Sequence, residues 1–146
     1  MKENIDPKMH SAEHLLNQTM VRLFSCARSF SAHIEKKKSK CDYHFDHALT
    51  PEEIKKIENQ VNEIIKTNLP VTEEFLAETE AKTKFNLNRI PEGLALDKVR
   101  IVKIGGYDAI PCIGPHVTTT GEIGQFRIIS TDYNDGVLRI RYKLIL

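Results

Sequence analysis

The sequence predicts an α+β fold in which a largely antiparallel sheet packs with two main helices. Two long stretches place apolar residues at helical spacing, and each opens with a capping residue followed by proline. Shorter stretches between and after them alternate polar and apolar residues, as half-buried strands do. An Asp135-Gly136 pair is typical of a tight hairpin turn and joins the last two strands. The resulting order, α-β-β-α-β-α-β-β-β, indicates strands that pair mainly with antiparallel neighbours.

The first helix is predicted to begin at Asp6-Pro7 and to run to about Cys26. Its stripe of apolar residues consists of Ala12, Leu15, Leu16, Met20, Leu23 and Phe24. His10 and His14 lie one turn apart on a different face. We therefore expect them to point away from the core face of the helix, and two ordinary surface histidines are the alternative to a functional role.

Two strands are predicted next, at about 28–34 and 41–46, with a lysine-rich hairpin turn between them. The second helix opens with Thr50-Pro51-Glu52-Glu53, a capping box with proline at the first helical position, and ends before Pro70. Its apolar positions at helical spacing are Ile54, Ile57, Val61, Ile64 and Ile65.

The pattern of the remaining chain predicts two further strands, one short helix and a closing hairpin. A strand is expected at 71–78, a short helix at 80–87 and a strand at 98–104. Residues 126–130 and 137–146 are expected to form the closing hairpin.

Composition limits the class of protein. A chain of 146 residues with 40% apolar and 28% charged residues has the size and make-up of one globular domain, and we expect a single domain over 1–146. No stretch approaches the ~18 apolar residues of a membrane span. Three cysteines at wide spacings do not suggest a disulfide framework, which favours a cytoplasmic setting with reduced thiols.

The net charge of +1 argues against a protein that binds nucleic acid through a strong overall field. Basic residues are nevertheless concentrated in two places. They are Lys36, Lys37, Lys38 and Lys40 around the predicted hairpin turn, and Arg139 and Arg141 in the last strand. A local basic patch is one interpretation, and ordinary solvated strand ends are the other.

Two histidine motifs carry the strongest chemical signal. His10 and His14 are four positions apart on the first helix, and Cys112 and His116 have the same spacing in a loop that contains Gly114-Pro115. A helix brings residues i and i+4 to one face, so both helical histidines can reach one ion. Three imidazoles and one thiolate suit zinc, and we predict a zinc site.

Two other constellations are weaker. Cys41, His44 and His47 have suggestive spacing, but alternation along a strand sends Cys41 and His44 to opposite faces, which disfavours a second metal site. A nucleophilic pair of Cys112 and His116 is disfavoured because no third, orienting residue can be identified.

Five blocks spread from His10 to the C-terminal region form a recognisable series. They are His10-Ser-Ala-Glu-His-Leu-Leu16, Phe45-Asp46-His47, Ile57-Glu58-x-x-Val61-Asn62, Asn68-Leu69-Pro70-Val71 and Cys112-Ile-Gly-Pro-His-Val-Thr-Thr-Thr-Gly-Glu-Ile-Gly124. The series resembles the editing domain of alanyl-tRNA synthetases, a member of the threonyl/alanyl-tRNA synthetase second additional domain family. Free-standing relatives of that domain are the AlaX-type trans-editing proteins.

The resemblance implies the α+β fold of that domain and implies that His10, His14, Cys112 and His116 bind zinc. It also implies hydrolysis of the ester that joins a wrong amino acid to transfer RNA, usually serine or glycine on the alanine tRNA. Because the chain has no room for a synthetase ATP-binding segment, we expect it to act in trans. A second hydrolytic site is useful because a pocket for alanine cannot strongly reject other small amino acids.

The last block also resembles a second branch of the family. Alanine-type domains usually read Cys-Gly-Gly-Thr-His, whereas this chain has Ile113 and Pro115 in that segment. Its Gly-Pro-His-Val portion is similar to the editing domain of bacterial threonyl-tRNA synthetases, which removes serine from the threonine tRNA. Both substrates stay open, as does a noncatalytic zinc-stabilised module that binds tRNA or a synthetase.

The catalytic candidates that follow from the resemblance are His10, His14, Glu13 and Thr120. Glu13 is interpreted as a base or electrostatic group, with an exposed helix glutamate as the alternative. Thr120 is interpreted as a contact for the aminoacyl group or for backbone, with a purely structural turn as the alternative. Zinc can polarise the ester carbonyl or lower the pKa of water toward ~7. Because four protein ligands are typical of structural zinc, the mode of water activation stays open.

The expected partner is the acceptor end of an aminoacyl-tRNA. Its phosphates are expected to contact the basic residues named above, namely Lys36, Lys37, Lys38 and Lys40 or Arg139 and Arg141. Such binding should weaken with salt, because each phosphate contact releases counterions.

Overall fold

A computed structural model describes residues 5–85 and 98–145, which form two antiparallel sheets, two long helices and a short one. The helices are α1 (Pro7–Phe24), α2 (Pro51–Thr67) and α3 (Glu78–Lys84). The strands are β1 (Ser31–His33), β2 (Ser39–His44), β3 (Val71–Ala77), β4 (Lys98–Ile104), β5 (Asp108–Pro111), β6 (Gln125–Asn134) and β7 (Val137–Ile145). A 3-10 turn spans Thr120–Ile123. The predicted α+β class is confirmed.

The strands form two sheets rather than one. The first has the order β1-β2-β7-β6 and the second the order β3-β4-β5, and all pairings are antiparallel. Strand β5 was not predicted, since four residues ending in proline are too short to show a period. Asp135 and Gly136, with φ of 51° and 81°, form the predicted tight turn between β6 and β7.

Local capping explains where the long helices begin. The Asp6 carboxylate accepts a hydrogen bond from the Lys8 amide, and Thr50 and Glu53 form the predicted capping box. Helix α1 ends two residues before the predicted end, at a left-handed Ser25. Helix α3 begins at Glu78, two residues before the predicted start, and ends at Lys84 before an extended Phe85. The predicted end at 87 lies outside the described residues.

Helix α1 lies at the centre of the fold and is buried on nearly every side in its first half. Tyr43 Oη of β2 donates a hydrogen bond to Asn17 Oδ1 at 2.7 Å, which shows that the four-stranded sheet packs on one side. Helix α2 packs on a second side, and β5 with its following loop packs on a third. His10 and His14, only 6% and 2% exposed, face this third side. The alternative of two surface histidines is therefore wrong.

The outer face of the four-stranded sheet is polar. Lys40 and Asp42 on β2 lie opposite Arg141 and Arg139 on β7, while the alternate residues of both strands are buried in the main core. Within the described ranges, no helix is long and apolar enough to span a membrane.

The Asp42–Arg139 pair predicts how stability depends on pH. Arg139 donates to both carboxylate oxygens, at 2.8 and 3.0 Å, and this contact holds the pKa of Asp42 below its ordinary value. A depressed carboxyl pKa contributes stability above the unfolded-state pKa of about 4, and the contribution is lost as the pH falls through the folded-state value. We expect Asp42→Asn to lower Tm by a few degrees at pH 7.

Thermal unfolding of both proteins between pH 3 and pH 7 checks this expectation. The difference in Tm between Asp42→Asn and the wild type should shrink as the pH falls below about 4. A difference that stays constant or grows on acidification would contradict the role given to the ion pair.

Candidate metal centre

Four side chains from two distant parts of the chain converge at one point. His10 and His14 come from α1, and Cys112 and His116 come from the loop after β5. Their ligand atoms all lie within 4.8 Å of one another, and His10 Nε2 is 3.4 Å from Cys112 Sγ. The three imidazole rings are in mutual contact, with centroids 4.2 to 5.0 Å apart. The structure therefore brings together all four predicted ligands.

Nδ1 has a hydrogen-bond partner in both His10 and His116, so Nε2 is the atom that each of these histidines can offer to an ion. His10 Nδ1 donates to the Pro115 carbonyl at 2.9 Å, which fixes the tautomer with a lone pair on Nε2. His116 Nδ1 lies 2.9 Å from Ser11 Oγ, and its Nε2 is a buried nitrogen with no hydrogen-bond partner. Ligating histidines almost always bind an outer partner through their second ring nitrogen.

The surroundings of Cys112 favour its thiolate, the form of the sulfur that binds a metal. Burial alone raises the pKa of the Cys112 thiol, but the neighbouring imidazoles of His10, His116 and His14 outweigh burial and lower the pKa to about 2. Burial, helped by the charges of His14 and His10, lowers the pKa of His116 to about 4. A thiolate and a neutral imidazole are the forms that bind a metal.

Close packing and one arginine fix the ligand loop. A Cβ atom on Gly114 would lie only 2.4 Å from His10 Cε1, so only glycine allows the loop to approach the imidazole this closely. Arg100 of β4 donates through Nη1 to the carbonyls of Cys112 and Gly114, at 3.2 and 2.7 Å. Its Nε donates to Glu73 on β3 at 2.6 Å. The loop is thereby anchored to the three-stranded sheet.

These residues fit a zinc ion. Tetrahedral zinc with imidazole and thiolate ligands places its ligand atoms roughly 3.3–3.8 Å apart, and small shifts of the four side chains reach those separations. The orphaned Nε2 of His116 gains a partner when an ion binds. No other group of three or more histidine, cysteine or carboxylate residues in the described parts of the chain could hold a metal.

Glu13 is buried beside the cluster. It is only 1% exposed, and its Oε1 lies 3.8 Å from His10 Nε2. The alternative of an exposed helix glutamate is wrong, because α1 is covered on the side that carries Glu13. A role in catalysis stays a prediction for this residue.

Thr120 binds backbone, one of the two contacts predicted for it. Its hydroxyl donates to the Ile64 carbonyl at 2.9 Å and accepts from the Leu69 amide at 2.8 Å, and the side chain is fully buried. These bonds join the end of α2 to the 3-10 turn that follows the metal loop. A catalytic role for Thr120 stays a prediction.

The basic residues lie away from the cluster. Lys36, Lys37 and Lys38 are exposed in the turn between β1 and β2. Arg139 is bound to Asp42, and Arg141 donates to Asp132 at 2.6 Å and to Ser130 at 3.2 Å. Lys40 and these arginines share the outer face of the four-stranded sheet, so the sheet separates them from α1 and its histidines.

Three supporting residues were not predicted from the sequence, namely Ser11, Arg100 and Asp108. One pattern could have indicated the surface that includes Asp108. His10, His14, Gln18 and Arg22 form an unbroken row at i, i+4, i+8 and i+12 along α1. Each of them contacts β5, the turn before it or the loop after it.

Comparison with known proteins identifies the family of one part of the chain. Residues 99–141, which include Cys112 and His116, match the threonyl and alanyl tRNA synthetase second additional domain. This part of the chain belongs to the second additional domain family.

Relatives of the whole chain are much longer than it is. The chain is 34% identical to an alanine–tRNA ligase of Aeropyrum pernix over 91% of its own length, and 34% identical to one of Fervidobacterium nodosum over 96%. It is 31% identical to threonine–tRNA ligase 1 of Bacillus subtilis over 88%. The chain spans 15%, 16% and 21% of the length of these three relatives.

Proposed function

We propose that this protein hydrolyses mischarged aminoacyl-tRNA in trans with the help of a bound zinc ion, with Ser-tRNA(Ala) and Gly-tRNA(Ala) as its main substrates. The observation that carries the proposal is the convergence of His10, His14, Cys112 and His116 within 4.8 Å. The relation to alanine–tRNA ligases over nearly the whole chain supports the RNA as substrate.

The chain's own residues have separable tasks in this proposal. A zinc ion would supply Lewis-acid chemistry, polarising an ester carbonyl and acidifying water. Cys112 and His116 are half-buried, whereas His10 and His14 are buried, so the ester would approach from the side of the loop. Glu13 would add negative charge beside His10. Its burial suits an electrostatic task better than proton exchange with bulk water.

A second substrate has a specific observation in its favour. The chain is related to a threonine–tRNA ligase as well as to alanine–tRNA ligases, and its loop reads Cys112-Ile-Gly-Pro-His116. Ser-tRNA(Thr) is therefore the alternative substrate. Both candidates present a small amino acid esterified to a tRNA, so the same site would serve either.

A deacylation panel tests the proposal. The zinc-loaded 146-residue protein, with no synthetase present, is incubated with Ser-, Gly- and Ala-charged alanine tRNA and with Ser- and Thr-charged threonine tRNA. We expect fast release of serine or glycine and slow release of the correct amino acid. Release from none of the mischarged tRNAs would overturn the proposal, and release of serine from the threonine tRNA alone would support the alternative substrate.

The proposal gives the lysines of the β1–β2 turn the main phosphate contacts. Lys36, Lys37 and Lys38 are exposed there, whereas Arg139 and Arg141 are engaged by carboxylates. Lys40, Arg139 and Arg141 would add positive charge on the adjacent sheet face. Because the sheet separates this face from the cluster, the contacts would fall on phosphates away from the terminal ester.

Replacing Lys36, Lys37 and Lys38 together with alanine is expected to raise KM several-fold at low salt and to leave kcat unchanged. The slope of log KM against log salt should also become shallower, by up to about 2 to 3 if each lysine contacts one phosphate. The matched control replaces Lys55, Lys56 and Lys66, exposed lysines on α2, and should behave as the wild type. Equal effects of the two triple variants would argue against a phosphate contact at the turn.

The proposal also places the reaction in the cytoplasm, where thiols stay reduced. Cys26 and Cys112 are free thiols, and Cys112 must remain so to bind an ion.

A further inference from the structure

Asp108, the first residue of β5, lies beside the cluster at His14. It is only 4% exposed, and its Oδ2 lies 3.6 Å from Nδ1 of His14. That distance is typical of an ion pair and is about 0.7 Å longer than a hydrogen bond. His14 Nδ1 is itself a buried nitrogen with no hydrogen-bond partner, whereas the Nδ1 atoms of His10 and His116 both have one.

Two further side chains hold the Asp108 carboxylate in place. Gln18, one helical turn beyond His14, donates to Oδ1 at 2.8 Å. Arg28 donates to Oδ1 at 2.8 Å and to Oδ2 at 3.3 Å. The carboxylate is therefore fixed from both α1 and the segment that follows it, and Oδ2 keeps a lone pair for His14.

We propose that Asp108 is the positioning residue that orients His14 as a metal ligand, with Arg28 and Gln18 holding the carboxylate. The inference rests on the proposed zinc site. When His14 binds an ion through Nε2, its proton must reside on Nδ1, and a buried N–H needs an acceptor. Asp108 supplies that acceptor after a shift of less than 1 Å, and the bond fixes both the tautomer and the plane of the ring.

The variant Asp108→Asn tests the inference because an amide can also donate. An Asn side chain that keeps its oxygen toward Gln18 and Arg28 presents its NH2 group to His14 Nδ1, which favours the tautomer that cannot bind through Nε2. We expect zinc affinity, measured by competition with a chromophoric chelator, to fall 10- to 100-fold. The 15N shifts of His14 should also show a mixture of tautomers at subsaturating zinc.

Asp42→Asn is the matched control. Asp42 is also a buried carboxylate held at both oxygens by an arginine, but it lies on the far face of the four-stranded sheet. The Asp42→Asn variant should be less stable than the wild type and should bind zinc with wild-type affinity. Arg28→Gln keeps Asp108 but removes two of its hydrogen bonds, and it should weaken zinc binding several-fold. If Asp108→Asn does not fold, the zinc affinity of Arg28→Gln tests the positioning role of Asp108.

The possible failures are distinguishable. Wild-type zinc affinity and an unchanged His14 tautomer in a folded Asp108→Asn would overturn the positioning role while leaving the proposed function intact. If Asp108→Asn is unfolded, wild-type zinc affinity in Arg28→Gln would overturn the positioning role of Asp108. A wild-type protein that binds no zinc would overturn both the proposed function and the inference that rests on it.

Discussion

Replacing Gly114 with alanine is expected to lower zinc affinity about 100-fold or more. The added Cβ would lie 2.4 Å from Cε1 and 2.8 Å from Nδ1 of His10, closer than carbon and nitrogen atoms can pack. Neither the His10 imidazole nor the loop can move away without losing a hydrogen bond. His10 is bound to the Pro115 carbonyl, and the loop is bound to Arg100. The imidazole must therefore leave its place as a ligand.

Gly106→Ala is the control for this substitution. Gly106 lies in the turn between β4 and β5, and a Cβ atom there would meet nothing within 4 Å. Its zinc affinity should equal that of the wild type in the same chelator competition. If Gly114→Ala also bound zinc as the wild type does, His10 would not be a ligand in the geometry described above.

Replacing Cys112 with alanine is expected to leave the protein folded and to lower the rate of deacylation roughly 1,000-fold. Several kcal/mol of transition-state stabilisation by a metal corresponds to a factor of this order. Cys112 is half-buried on a loop and is not part of the main hydrophobic core, so its removal deletes little packing. Circular dichroism and single-turnover release of serine or glycine measure the two effects.

Cys26→Ala serves as the control, because Cys26 is another half-buried free thiol and lies outside the cluster. It should retain the wild-type rate. An unfolded Cys112→Ala would instead indicate a structural zinc ion and a binding module. A folded variant with the full rate would show that the thiolate has no part in hydrolysis.

Features set by neighbouring residues were predictable from the sequence. Asp6-Pro7 and the Thr50–Glu53 capping box begin the two long helices, and Asp135-Gly136 turns the last hairpin, because each acts through bonds within a few residues. The four metal ligands were predictable for a related reason. Each pair has a local spacing, and the donor set is chemically distinctive.

Features set by distant contacts were not predictable. The split into two sheets depends on which strands pair, and β5 is too short to have a period. The burial of Glu13 follows from α1 being enclosed by three layers, whereas a periodic stripe predicts only one buried face. Asp108 meets His14 across more than ninety intervening residues, and no local pattern marks such a pair.

The most direct measurement is a titration of metal-free protein with zinc, in which bound zinc and the single-turnover rate of deacylation of Ser-tRNA(Ala) are followed in the same samples. We predict that the rate rises in proportion to bound zinc, levels off at one equivalent, and stays at the background level in His14→Ala. A rate that is unchanged from zero to one equivalent of zinc would contradict the central claim that this four-residue centre drives the hydrolysis.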